Sequence, residues 1–381
     1  MNKRWTYIDS ETARDAAIAQ MQGAHWLAVD TEFQREKTYR AQLCLVQVGN
    51  GEHDWLFDAL SLDLTPLWAL LADAKITKVM HSADQDNEVF VQLYGACFEP
   101  LFDTQIAASL LGIGDQLGYA GLVKARLGLE IDKRMSRTDW TRRPLSEAAL
   151  DYAAADVQHL ARIYTQLRGE LENTGRLAWL QEDAARLCET QRYLSDPPNA
   201  WTRIKGLGRL KPREQQIAAG LASWRETEAA SKDRPRRWIL SDTAILTLAQ
   251  RRPQSLDELQ QLQLEGVNER LAEVLHTQVL PAAYSAATDV ALVVAQRMDD
   301  ERKRQFKLLS GKIRERAEQL NIPAAMLAPR AEIEALLDHG AEAPVRLLQG
   351  WRREQCGERL LGLLRKAAPA PTAASVWGQS Q

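Results

Sequence analysis

The chain has 381 residues, 45% hydrophobic and 26% charged, with a net charge of −3. That length predicts two or three domains with real cores and excludes wholesale disorder. No run of about 18 apolar residues occurs, which excludes a membrane-spanning helix, and the N-terminal MNKRWTYIDSETARDAA has no apolar signal segment, so a soluble cytoplasmic protein is expected.

In chain order, His25–Val29, Leu43–Val48 and Trp55–Phe57 read as successive strands, with a polar turn at Gly49–Glu52. A helix over Leu64–Ala72 and a strand over Ile76–His81 follow, and this alternation predicts an α/β domain. From Ser146 the pattern is helical almost without break to about Gln191. Ser195–Asn199 (SDPPN) is a breaker cluster and marks the first boundary. The expected layout is a catalytic domain over 1–195, a linker over 196–214, small helical units over 215–285 and 289–366, and a disordered Pro/Ala/Ser-rich tail over 367–381. Residues 1–200 carry 20 Lys and Arg against 29 Asp and Glu, whereas residues 201–381 carry 28 against 22. An acidic half joined to a basic one suits a metal-binding domain followed by a domain that meets phosphates. Cys44, Cys97, Cys188 and Cys356 are scattered with no C-x-x-C pair, so free thiols are expected rather than a zinc site or disulfide framework.

The chemistry concentrates in three segments. In Val29-Asp30-Thr31-Glu32-Phe33, residues i and i+2 of a strand share a face, so Asp30 and Glu32 stand side by side. Two buried like charges are costly, and a divalent cation relieves that cost. In the helical Asp151-Tyr152-Ala153-Ala154-Ala155-Asp156, Tyr152 and Asp156 are one turn apart on one face, and the alanines allow close approach to a strand. Between them, strand-ending His81 leads into Asp84, Asp86 and Glu88, which compete for the place of a fourth carboxylate. Any of these could instead charge a helix N-terminus. Four carboxylates suit a pair of hard cations, Mg²⁺ or Mn²⁺, that hold the attacking and leaving oxygens of a phosphodiester in line. The six histidines form no ligand set.

Asp30-Thr31-Glu32, an Asp after His81-Ser82, and Tyr152-x-x-x-Asp156 resemble the exonuclease motifs of the DEDD superfamily, tyrosine subgroup. Ser136-Arg137-Thr138-Asp139-Trp140 and Arg143-Pro144-Leu145-Ser146 narrow the resemblance to the bacterial ribonuclease D family. In that family the Asp two residues before Glu-Val-Phe belongs to the site, which selects Asp86; an apolar residue usually follows it, where this chain has Asn87. Trp201-x-Arg203-Ile204-Lys205-Gly206, Leu221–Ala229 and Arg237–Asp242 resemble the helical HRDC nucleic-acid-binding domain, with a more divergent second copy expected over 289–366. The resemblance implies a ribonuclease H-like α/β domain with a mixed sheet, followed by two HRDC-type domains. It implies a monomeric 3′→5′ exoribonuclease trimming the 3′ ends of tRNA precursors and small stable RNAs, with two Mg²⁺ or Mn²⁺ ions and release of 5′-mononucleotides. Tyr152 would orient the attacking water rather than act as a base, since a phenol is protonated at neutral pH.

For substrate grip, Phe33 could stack on a terminal base and His81 could reach a phosphate or ribose. Lys133, Arg134, Arg137, Arg142 and Arg143 surround Trp140, a combination that suits phosphates beside a stacked base. Further basic clusters occur at Arg203–Arg213, Lys232–Arg237 and Arg302–Arg316. A DNA-directed exonuclease would share the site chemistry, and a non-catalytic RNA-binding protein would not need all five site residues. A helicase is not expected, since Phe306 stands where a phosphate-binding loop ending in Gly311-Lys312 needs glycine.

Overall fold

The computed structural model describes residues 4–132, 135, 138–285 and 299–367. They group into two compact units. One comprises the segments up to 101, 132–161 and 187–285; the other comprises 102–131, 162–186 and 299–367. These groupings cut across the linear order expected from sequence.

The elements begin β1 (Trp5–Ile8), α1 (Glu11–Met21), β2 (Trp26–Gln34), β3 (Gln42–Gly49), β4 (Asp54–Asp58), α2 (Thr65–Leu71), β5 (Thr77–Met80), α3 (Asp84–Tyr94) and β6 (Leu101–Asp103). The strands form one mixed sheet in the order β1-β4-β3-β2-β5-β6. β3 is antiparallel to β2 and β4, while β1 runs parallel to β4 and β2 to β5. β3 is buried from Leu43 to Gly49, as an apolar strand covered on both faces should be. The four strands expected from sequence are β2 to β5. β2 continues through Asp30-Thr31-Glu32-Phe33, so the carboxylates lie inside a strand rather than past its end. The short outer strands β1 and β6 carry too few residues for a periodic signal.

Helices α4 (Thr104–Leu110) and α5 (Tyr119–Leu127) precede the long α6 (Glu147–Asn173) and α7 (Leu177–Leu187). The expected unbroken helix stops at Gly175, whose φ of +67° lies in the left-handed region. Ser146 accepts a bond from the Ala149 amide at 3.2 Å and so caps the start of α6. Ala153 and Ala154 are fully buried on α6. A Cβ on Gly49 of β3 would lie 3.3 Å from Val157 of α6 and 2.6 Å from the Asp54 carboxylate, so that strand position has no room for a side chain.

In the first unit, α8 (Pro212–Lys232), α9 (Arg236–Ile239), α10 (Asp242–Arg251), α11 (Leu256–Gln261), α12 (Glu269–Val274) and α13 (Leu280–Ser285) enclose their own core. The 196–214 segment, expected as a linker, is part of that core, because Ala200, Ile204, Leu207 and Leu210 are buried in it. Glu226 of α8 clasps this helical core to the loop after β2. It accepts bonds from the Tyr39 hydroxyl at 2.6 Å and from Arg236 Nη2 at 2.7 Å. Asp233 accepts from the Tyr39 and Arg40 backbone amides at 3.1 and 2.9 Å.

In the second unit, α14 (Asp300–Leu320), α15 (Ala324–Leu327), α16 (Arg330–His339), α17 (Gly350–Arg352) and α18 (Glu358–Ala367) join the α4, α5 and α7 segments. Arg352 and Asp183 of α7 form a buried two-point ion pair, and the Trp179 and Trp351 rings stack at 4.5 Å. Residues 289–298 of the expected second helical unit, and 368–381 of the expected tail, lie outside the described residues.

Candidate active site

The site is built from β2, α3 and α6. β2 and β3 pair antiparallel with Asp30 opposite Gln47, and the register shifts between Glu32 and Phe33. Asp30, Glu32 and Asp156 of α6 each offer a carboxylate oxygen, and these three oxygens lie within 4.8 Å of one another. Asp86 enters from the first turn of α3 and accepts a hydrogen bond from the Thr31 hydroxyl. Of the three α3 candidates, the outer two are engaged elsewhere. Asp84 pairs with Arg192 at 3.2 Å and Glu88 with Arg35 at 2.9 Å. Asn87 is buried and doubly bonded, donating to the Leu187 carbonyl and accepting from the Phe98 amide, each at 2.9 Å. An amide thus stands where the family usually has an apolar side chain, and it fixes α3 rather than loosening it. Ser82, just before α3, has φ +57°, a left-handed turn that an L-residue adopts only at a cost.

The electrostatics follow from burial and like charge. Asp30 is pushed well above the carboxylate range, first by burial and then by the charges of Asp156, Asp86 and Glu32. Burial, then Asp156 and Asp86, raise Glu32 to about 8. Burial raises Asp156 to about 7. Such a cluster is stable as anions only if a cation joins it. The donors are all carboxylate oxygens, the set that hard divalent ions prefer. The Tyr152 hydroxyl is pushed above its ordinary value by burial and then by Asp156, Glu32 and Asp30, so it is a proton donor at neutral pH.

Tyr152 rests on a supporting cluster. Trp140, only 4% exposed, packs with Cys44, Leu45, Leu56, Ala149 and Ala153, its ring 6.4 Å from that of Tyr152. This corrects the expectation of Trp140 as a base-stacking platform, because the indole has no free face. Arg143 is likewise taken out of the basic loop. It forks onto Asp58 at 2.6 and 2.7 Å and donates to the Cys44 and Trp140 carbonyls, each at 2.8 Å. Burial alone would raise Asp58, but the bonds from Arg143 and Tyr7 outweigh it and hold the carboxyl at about 2. Phe33 and His81 are half-buried at the ends of β2 and β5. Arg137 lies outside the described residues, as do Lys133 and Arg134.

Gln47 escapes sequence reasoning. It is fully buried, stands opposite Asp30, and neither atom of its side-chain amide has a partner among the described residues. The only sequence signal is a glutamine within the apolar run LCLVQV.

The 3′-5′ exonuclease family matches residues 5–172 and the HRDC domain family matches residues 214–282. The chain is 37% identical to a ribonuclease D of Granulibacter bethesdensis over 89% of this chain and 87% of the relative. It is 36% identical to one of a Shewanella species over 94% and 93%. The crystal structure of Escherichia coli RNase D, described as an exoribonuclease involved in structured RNA processing, superposes with a TM-score of 0.84. That match has 32% identity and covers 96% of this chain and 99% of the other. A 3′-5′ exonuclease match over the mixed-sheet region, an HRDC match following it in sequence, and likeness along nearly the whole length agree: the chain belongs to the ribonuclease D family of 3′→5′ exoribonucleases.

Proposed function

We propose that this enzyme trims the 3′ ends of tRNA precursors and other small structured RNAs, releasing 5′-mononucleotides one at a time. The observation that carries the reading is the close trio Asp30, Glu32 and Asp156, the first two half-buried and the third buried, with Asp86 beside it and a protonated phenol one helical turn away. The four carboxylates would hold two divalent cations, Mg²⁺ or Mn²⁺. The chemistry supplied there would be charge neutralisation at the scissile phosphate and a water acidified for attack. Tyr152 donates its hydroxyl proton as a hydrogen bond and fixes the orientation of that water. Trp140 packs beside the phenol, and Arg143 holds Trp140 through its backbone carbonyl. Phe33 stacks on the terminal base, His81 reaches its ribose or phosphate, and Arg137 adds a phosphate contact. The protein works as a cytoplasmic monomer, with an exonuclease domain over 1–195, an HRDC domain over 215–285 and a second HRDC-like helical domain over 289–366.

Digestion of a 3′-extended, 5′-end-labelled tRNA precursor tests this. A ladder shortening from the 3′ end with Mg²⁺ or Mn²⁺, and no ladder with chelator, is expected. No nucleotide release with either metal refutes the reading. A matched DNA oligonucleotide cleaved faster than RNA would turn the enzyme into a DNA-directed exonuclease. Asp30→Asn should remove the activity while the protein stays folded.

A further inference from the structure

A cavity of about 760 Å³ lies on the first unit, among the loop after β2, α3, the segment following α7 and the start of the helical core. Five arginines line it: Arg35, Arg40, Arg192, Arg203 and Arg236. Their carboxylate partners are unequally shared. Arg236 takes Glu226 with two bonds of 2.5 and 2.7 Å, and the Tyr39 hydroxyl takes another at 2.6 Å. Arg203 is left 3.6 Å from Glu226 with half its side chain exposed. Arg40 donates one bond of 3.2 Å to the Ala230 carbonyl and has no carboxylate partner among the described residues. Arg35 and Arg192 pair with Glu88 and Asp84 in partly exposed bridges, a weak and easily exchanged type.

The cavity adjoins the reaction site through shared elements. Arg35 directly follows the end of β2, three residues beyond Glu32, a span of about 10 Å at the rise of an extended chain. Asp84 and Glu88 flank Asp86 on α3. Guanidinium forks match phosphate oxygens in geometry as well as charge. Tyr39 is covered by Arg236, whose guanidinium carbon lies 4.6 Å from the ring centroid, so this aromatic is not free to stack a base. Tyr193, the second aromatic of the lining, is held by its hydroxyl, which donates to the Leu187 carbonyl at 2.7 Å and to Asp84 at 3.2 Å. Five guanidinium groups against these two tethered rings suit phosphates better than bases.

We infer that this cavity holds backbone phosphates of the RNA strand on the 5′ side of the nucleotide being removed. Arg40 and Arg203 are its primary ligands, and Arg35 and Arg192 are recruited from their exposed pairs. The inference rests on the RNA substrate proposed above. A free mononucleotide or inorganic phosphate offers the same chemistry, and the test separates the sources.

The full-length Arg40→Gln/Arg203→Gln double variant is compared with the wild type on a dinucleotide and on an RNA of about twelve nucleotides with the same 3′ end. The expected result is an unchanged dinucleotide rate and a roughly tenfold higher KM for the longer RNA, with a salt dependence shallower by about one unit of log–log slope per arginine. The Arg40→Lys/Arg203→Lys variant restores part of the loss, because it returns the charge without the fork. Binding of the same RNA in an Asp30→Asn background, read by fluorescence anisotropy, reports on the cavity without cleavage. Failure of the cavity is thereby separated from failure of the exoribonuclease reading. Equal losses on both substrates, with altered melting, would make the arginines a domain fastener and overturn the inference; so would no change on either. Weakened inhibition of dinucleotide cleavage by 5′-AMP or inorganic phosphate, with long-RNA kinetics intact, would assign the cavity to free phosphates and overturn it too.

Discussion

At neutral pH the carboxyls of Glu32 and Asp156 are only partly ionised, with values near 8 and 7 set chiefly by burial. Because these folded-state values lie above those of an unfolded chain, the stability they contribute is fully present below about pH 4. It is lost as pH rises through 7 to 8. Metal-free protein should therefore melt at a higher temperature at pH 5 than at pH 8. Saturating Mg²⁺ or Mn²⁺ should shrink or reverse that difference, since metals bind the deprotonated acids. Calorimetric melting with and without metal checks both signs. Gln47 poses the opposite question. Its buried amide lacks partners among the described residues, and an unsatisfied amide costs more than an apolar group of similar shape. Gln47→Leu should stabilise the metal-free protein by about 1 kcal/mol in urea unfolding; a loss would mean the amide is satisfied in solution.

At the scale of elements, the site depends on how closely α6 approaches the sheet. The Gly49 position faces Val157, one residue beyond Asp156. Gly49→Val should push α6 outward and lower kcat by roughly a hundredfold, as an ångström of misplacement can, with secondary structure retained by circular dichroism. Much of this arrangement is legible in the sequence. Period-two spacing puts Asp30 and Glu32 on one face, period-four spacing puts Tyr152 and Asp156 on another, and the alanines between announce tight packing. The choice among Asp84, Asp86 and Glu88 is not legible from periodicity. It depends on Thr31, Arg192 and Arg35, which approach α3 only in three dimensions. Trp140 misleads for a similar reason. Its neighbours in sequence are basic, but its neighbours in space are Cys44, Leu45 and Leu56. The 196–214 segment reads as a linker because prolines begin it, yet its apolar residues at irregular spacing fill the helical core.

At the scale of the whole molecule, the charge asymmetry between halves finds partial expression. Arg203 and Arg236 of the basic half line a cavity together with Arg35, Arg40 and Arg192 of the acidic half. The fastener between these regions is Glu226, 1% exposed and bonded by Tyr39 and Arg236. Glu226→Ala strands the Arg236 guanidinium and should cost about 2–3 kcal/mol, visible as a lower urea midpoint. Tyr39→Phe, which removes one neutral donor, should cost about 1 kcal/mol. Similar losses from the two substitutions would mean that the fastener is held by something other than the charged pair.

The crowding of acids around Asp30 has a consequence that solvent would register. With Glu32 and Asp156 partly protonated before any cation arrives, loading the enzyme is an acid–base reaction. Protons must leave as the ion enters, about one or more per molecule near pH 7. Weakly buffered solutions should therefore acidify when Mg²⁺ is added. The heat of titration should also differ between buffers in proportion to their ionisation enthalpies, and the slope counts the protons that the empty cluster keeps.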